Sequence, residues 1–173
     1  MGMLYRTIRV VAASGVLAIA MFATSCTNPV KDHEIARLGP EADGVSPGPE
    51  HRPGQPCVLC HSDGGTAKGK FAIAGTVYTT SKADKGVDKV KIFILDGANA
   101  DRQTTSNAVG NFFIRDEEWP DLTYPFKTGV EVGTTGIKMQ STVNREGSCN
   151  FCHKPPGGDP RESIGPITAP GGG

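Results

Sequence analysis

The sequence predicts a mainly β protein, a sandwich of short strands held between two Cys-x-x-Cys-His segments, with irregular tails. Three observations carry this. Only the stretch between the two motifs has the strand period. The turn residues Gly, Asn and Asp punctuate it at short intervals. The glycines and prolines on either side, from a total of 23 Gly and 13 Pro in 173 residues, break any long helix. Aromatic residues are sparse at 6%, so the packed core should be small.

The strands are expected in order. Phe71–Thr80 is the first. Val87–Asp96 is the clearest, with Val90, Ile92 and Ile94 on one face and Lys89 and Lys91 on the other. Arg102–Ser106 is weaker. Asn107–Gly110 reads as a turn into Asn111–Arg115. Tyr124–Lys127, Val130–Thr134 and Ile137–Val143 complete the set. The sandwich is placed at 66–145, a first motif segment at 57–65 and a second at 146–156.

The ends read differently. Arg6 and Arg9 precede an almost unbroken apolar run, Val10–Phe22, followed by Ala23-Thr24-Ser25-Cys26. This is a secretory signal over 1–25, too short and wrongly flanked for a membrane span. Ala-Thr-Ser-Cys resembles a bacterial lipobox, with Ala23 in place of the usual Leu. That resemblance implies lipidation at Cys26 and, with Thr27 after it, an outer-membrane lipoprotein. Acyl chains would then hold the protein to a bilayer. Residues 26–56 should be a lipid-anchored flexible linker with a helical turn near Asp32–Leu38, and 157–173 a flexible tail.

Without the leader, 16 basic residues face 18 acidic ones, a net charge of −2. This argues against a nucleic-acid binder, which needs a basic surface. Charge is segregated along the sandwich. Residues 66–91 carry a net of +4 and residues 96–121 a net of −4. Such a division can steer a redox partner, or simply mark opposite faces in water.

The chemistry lies in the cysteines. Cys57-Val58-Leu59-Cys60-His61 and Cys149-Asn150-Phe151-Cys152-His153 are both CxxCH, the attachment signature of haem c. Two thiols three positions apart on one turn reach the two vinyl groups of one porphyrin. The next histidine then projects at the iron, so His61 and His153 are the expected proximal ligands. A zinc ribbon would separate its pairs by about 15–20 residues. Here 88 lie between Cys60 and Cys149. Two disulfides would suit an exported protein but would leave the paired histidines without a role.

After the leader, candidates for the sixth ligands are Met139 and His51, while His33 should be solvated. Met139 would raise a haem potential relative to a second histidine. It also shares a strand face with Ile137, Ser141 and Val143 and could simply fill core. His51 sits six residues before Cys57 and could fold back onto either haem. Which candidate serves which haem stays open.

Other motifs fail. Gly64–Lys70 has the P-loop spacing, but Phe71 stands where Ser or Thr should bind magnesium. His33-Glu34 starts an HExxH motif, yet Arg37 occupies the second histidine position.

Residues 71–115 resemble the carboxypeptidase regulatory-like (transthyretin-like) domain. The resemblance lies in Gly75-Thr76-Val77-Tyr78, Gly86-Val87, Val90-Lys91-Ile92, Thr104-Thr105 and Gly110-Asn111-Phe112. It implies a prealbumin-like β-sandwich, a scaffold or binding module without catalysis of its own. The whole chain resembles exported lipoproteins in which two CxxCH motifs flank such a domain.

The function expected is therefore that of a dihaem c-type cytochrome, an electron carrier and not an enzyme. It would pass single electrons between other redox proteins in the periplasm or at the cell surface, with iron as its metal. A haem enzyme or gas sensor such as a dihaem peroxidase would instead need one five-coordinate iron. A β-sandwich binding module is the third possibility.

Overall fold

The computed structural model describes residues 28–41, 43–156 and 163–171. The expected leader, Cys26 and residues 157–162 of the expected tail lie outside them.

Seven strands form among the described residues, in two sheets around one core. They are β1 (Phe71–Tyr78), β2 (Lys91–Leu95), β3 (Asp101–Thr105), β4 (Asn111–Arg115), β5 (Lys127–Val132), β6 (Thr135–Lys138) and β7 (Ile167–Thr168). One sheet has the order β4-β1-β7 and the other β3-β2-β5-β6. The first sheet is antiparallel between β1 and β4, with Gly75 opposite Phe112 and Thr76 opposite Asn111. The β1–β7 pair is parallel.

Side chains alternate as a period of two requires. Ile73, Val77, Phe112 and Ile114 point inward from β1 and β4. They meet Ile92, Ile94 and Val130 of the facing sheet, with Trp119 and Phe126 closing the same core. The expected burial of Val90, Ile92 and Ile94 is observed, while Lys91 points to solvent and joins Glu131 across the sheet at 2.6 Å. Lys89 does not continue that face, because it sits in a turn with φ of 59°.

Strand β1 is unusual in being buried on both faces from Ile73 to Tyr78. A two-layer sandwich leaves one face of each sheet to water. Something else must therefore cover the outer face of β1. That cover is the chain on either side of the two CxxCH motifs.

The second half of the sandwich departs from the sequence expectation. The two strands expected at Tyr124–Lys127 and Val130–Thr134 are one, β5, because Lys127–Val132 runs unbroken along β2. The strand expected at Ile137–Val143 is divided. Thr135–Lys138 pairs as β6, and Val143 makes a separate bridge to Phe126. β7 lies in the expected irregular tail, where Val77 and Tyr78 find hydrogen-bonding partners in Ile167 and Thr168.

The stretch expected to be linker is also structured. Helix α1 spans Pro29–Arg37, capped by the Asn28 side chain on Lys31 N, with proline in its first turn, Asp32 near its start and Arg37 at its end. Each of these favours a helix terminus. Residues 49–55 are then fastened to the sheet, as described below. No helix among the described residues is long and apolar enough to cross a membrane.

Candidate functional site

The two motifs fold alike, though one forms a helical turn, α2 (Cys57–Cys60), and the other a 3-10 turn (Cys149–Phe151). In the first, His61 N donates to Cys57 O at 2.9 Å. In the second, His153 N donates to Cys149 O at 2.9 Å. This closes one turn and puts the two thiols and the histidine of each motif on one short loop. All four cysteines are free.

The histidine rings are held alike as well. His61 Nδ1 lies 3.0 Å from Gly69 O, and His153 Nδ1 lies 2.9 Å from Gly165 O. A carbonyl only accepts, so each Nδ1 carries the proton and donates it. Each Nε2 is left with its lone pair. For His61 that atom is buried and has no hydrogen-bond partner. Burial holds the His61 imidazole below its ordinary pKa, with the Gly69 bond opposing. A buried polar atom without a partner costs free energy unless something else meets it.

The His61 ring is also stacked. It lies 4.0 Å from the Phe71 ring at 11°, and Phe71 lies 4.6 Å from Phe113 at 10°. The glycine-rich stretch with P-loop spacing has a structural use here. It wraps the motif so that the Gly69 carbonyl reaches the ring, and Ala67 N donates to Cys60 O at 3.2 Å.

Each motif borders a cavity. The first, about 620 Å³, is lined by Cys57, Cys60, His61 and Phe71, with His51 and Leu38 across from them. The second, about 700 Å³, is lined by Cys149, Cys152, His153 and Phe151, together with Met139 and Ile137. Both volumes lie in the range of small-molecule and cofactor pockets. The two candidate sixth ligands thus fall into different cavities. Met139 is half-buried just beyond β6, its N–H donating to Thr128 O at 2.9 Å. His33 lies on α1, which buries no residue, and lines neither cavity.

His51 is fixed through a buried polar chain. Gly54 N donates to Thr76 Oγ1 at 2.8 Å, and that hydroxyl donates to Asn111 Oδ1 at 2.8 Å. Asn111 Nδ2 then donates to the carbonyls of His51 at 2.9 Å and Pro49 at 3.2 Å. Thr76 and Asn111 are almost fully buried on the outer face of β1 and β4. Nothing in the Pro- and Gly-rich composition of residues 46–54 signalled this fastening.

The two motifs, far apart in sequence, come together on β1. Ala74 N donates to Gly147 O at 2.9 Å, so the second motif enters along the free edge of β1. Gly54, with φ of 82°, has no room for a side chain. A Cβ there would press on the Tyr78 hydroxyl and sit 2.6 Å from the Pro155 ring. Phe112 lines both cavities. Burial pushes the Cys149 thiol up to about 12, and the nearby Cys57 adds to the shift. Burial likewise pushes Cys57 up to about 11.

Among the described residues no three His, Cys, Asp or Glu side chains converge as a metal cluster would need. A porphyrin demands less of the protein. It brings four nitrogen ligands of its own and takes only one or two axial donors, and a thioether link leaves no charge on sulfur. The paired thiols, the aimed histidine and the adjoining cavity fit such a group.

No protein-family model matches the chain, and neither a curated protein nor a solved structure was found to match it.

Proposed function

We propose that the chain is an exported dihaem c-type cytochrome, a lipoprotein that carries single electrons between redox partners. The observation that carries this is the repeated setting of His61 and His153. Each Nδ1 is spent on a glycine carbonyl, each ring follows a CxxC turn, and each stands beside a cavity. Such a bond to the second nitrogen is what fixes a metal-ligating imidazole.

Haem c supplies a one-electron iron couple when bound. The chain's own part is to hold and tune that group. Cys57 and Cys60 would tether the first haem and Cys149 and Cys152 the second, with His61 and His153 as axial donors. Ile35, Leu38 and Phe71 line the first cavity with apolar surface, as Ile137, Phe151 and Ile164 do the second. Low polarity around the iron is one means by which a protein sets potential. Gly54 packs against Pro155, so the segments that carry the two motifs meet, and haems held by both would be placed to exchange an electron. The basic leader and Cys26 support export and lipid anchoring, and the residues from Gly75 to Phe112 support a carboxypeptidase regulatory-like, prealbumin-like scaffold.

A haem stain on denatured mature protein, with a pyridine haemochrome spectrum and intact mass, tests the proposal. Two covalent haems per chain are expected after expression with haem c maturation machinery. A chain that leaves that machinery with no covalent haem would refute it.

A further inference from the structure

Two features of the first cavity bear on its second histidine. One is the distance between its histidines. The ring centroids of His51 and His61 lie 5.9 Å apart, with planes at 69°. Two imidazoles on opposite sides of one metal, each bonded at about 2 Å, have centroids roughly 6 Å apart. The other is the carboxylate behind His51. His51 Nδ1 lies 3.4 Å from Glu41 Oε2. Arg52 Nε donates to that same oxygen at 3.0 Å, while its other nitrogens hold Gly39 O and Gln55 Oε1 at 2.9 Å. Glu41 is thus pinned by an arginine whose other contacts are also satisfied.

We propose that Glu41 is a positioning residue that presents His51 Nε2 to the first haem site opposite His61, which makes this site bis-histidine with steeply crossed ring planes. The proposal rests on the cytochrome reading and names the second donor of its first site. Glu41 stands behind His51 as the Gly69 carbonyl stands behind His61, but at a longer contact, 3.4 Å against the 3.0 Å hydrogen bond to Gly69. A carboxylate on Nδ1 raises the donor strength of Nε2 more than a neutral carbonyl does. The first haem should therefore be the lower in potential. Met139, the one thioether candidate, lies in the other cavity.

The loop geometry supports this assignment. The His51 backbone is tied to β4 through Asn111, and its ring lies beside the Glu41 carboxylate at 3.4 Å. A solvated histidine would need neither. The Nε2 atom of His61 is buried without a hydrogen-bond partner.

The test uses the mature dihaem protein. In the oxidised wild type, electron paramagnetic resonance should contain a highly anisotropic low-spin signal, the mark of crossed imidazole planes. In His51→Ala, both haems should remain by pyridine haemochrome, but one of the two should turn high-spin and bind CO. Added imidazole should restore its low-spin spectrum. His51→Met should keep it low-spin and raise its potential. Glu41→Gln should retain two haems yet raise the potential of the first haem alone. A wild type with two haems whose His51→Ala spectrum is unchanged overturns the His51 assignment and leaves the cytochrome reading standing. An unchanged first potential in Glu41→Gln overturns the role of Glu41. Absence of covalent haem from the wild type overturns the cytochrome reading itself, and this proposal with it.

Discussion

Asn111→Ala should be among the most damaging single polar changes in the protein, and its cost can be worked from the contacts. The amide accepts from the Thr76 hydroxyl at 2.8 Å and donates to His51 O at 2.9 Å and Pro49 O at 3.2 Å. Truncation strands the Thr76 proton, because Thr76 Oγ1 already accepts from Gly54 N. A buried polar group left without a partner costs about 1–3 kcal/mol. The Pro49 carbonyl keeps a second donor, Asn107 Nδ2 at 2.7 Å, and so contributes little. The His51 carbonyl loses its donor but sits nearer the rim. The sum is about 2–4 kcal/mol, read as a fall in the urea midpoint of the mature protein at unchanged slope. Thr76→Val removes the other half of the pair. The double variant should cost less than the sum of the singles by roughly 0.5–3 kcal/mol, as expected for groups in one hydrogen-bond network. A loss under about 0.5 kcal/mol for Asn111→Ala, or a fully additive cycle, would refute the claim that this chain fastens residues 49–54 to the sheet.

Two further outcomes follow from the same structure. In Gly75→Ala the new Cβ would lie 2.7 Å from Phe112 Cζ and 2.9 Å from Cys149 Cβ. Overpacking should cost about 1–3 kcal/mol in urea unfolding, and a neutral result would mean that the second motif does not press on β1 as described. Asp96 is pushed up by burial, but three backbone donors (Ala100 N, Thr123 N and Ala98 N) together hold its carboxyl below its ordinary 3.8. A depressed carboxylate gives stability that is fully present above its unfolded pKa and is lost as pH falls through the folded one. The stability gap between wild type and Asp96→Asn should therefore be constant near neutrality and shrink on acidification below pH of about 4. A gap that does not change with pH would remove Asp96 from the acid limb.

How much of this was legible in the sequence depends on what kind of signal each element leaves. The period-two runs at 71–78 and 90–95 and the turn at 107–110 could be read directly, because each encodes its own burial or its own φ. β5 reads as two strands because Thr128 and Gly129 in its middle look like a break in sequence, while pairing along β2 carries the strand through them. β7 has only Ile167 and Thr168, too short for any period, and exists because β1 has a free edge to fill. The cysteines and histidines of the site were legible from their spacing alone. Their partners were not. Gly69 and Gly165 act through backbone oxygens, which no side-chain pattern reveals. Glu41 lies ten residues from His51 in a segment whose composition reads as linker, and Asn111 reads only as the first residue of a strand. A carbonyl acceptor soon after each CxxCH could have been sought in the glycines that follow, since both motifs are succeeded by such a stretch.

The placement of the motifs explains why a sandwich stands between them. Two CxxCH segments that meet in space could also stand on neighbouring turns, but a binding site requires apolar walls and a rigid floor as well. Here one strand, β1, supplies the floor for both. Its outer face receives the loop before the first motif through Thr76 and Asn111. Its free edge receives the entry to the second at Ala74, and Gly75 leaves room for Cys149. The intervening strands bring the chain back to where it began and bury the inner face of β1 in the core. The double burial of β1 is thus the structural cause of the closeness of the two sites. A weakened β1–β4 pairing should disturb both motif segments together, whereas a change confined to Glu41 or His51 should be felt at the first alone.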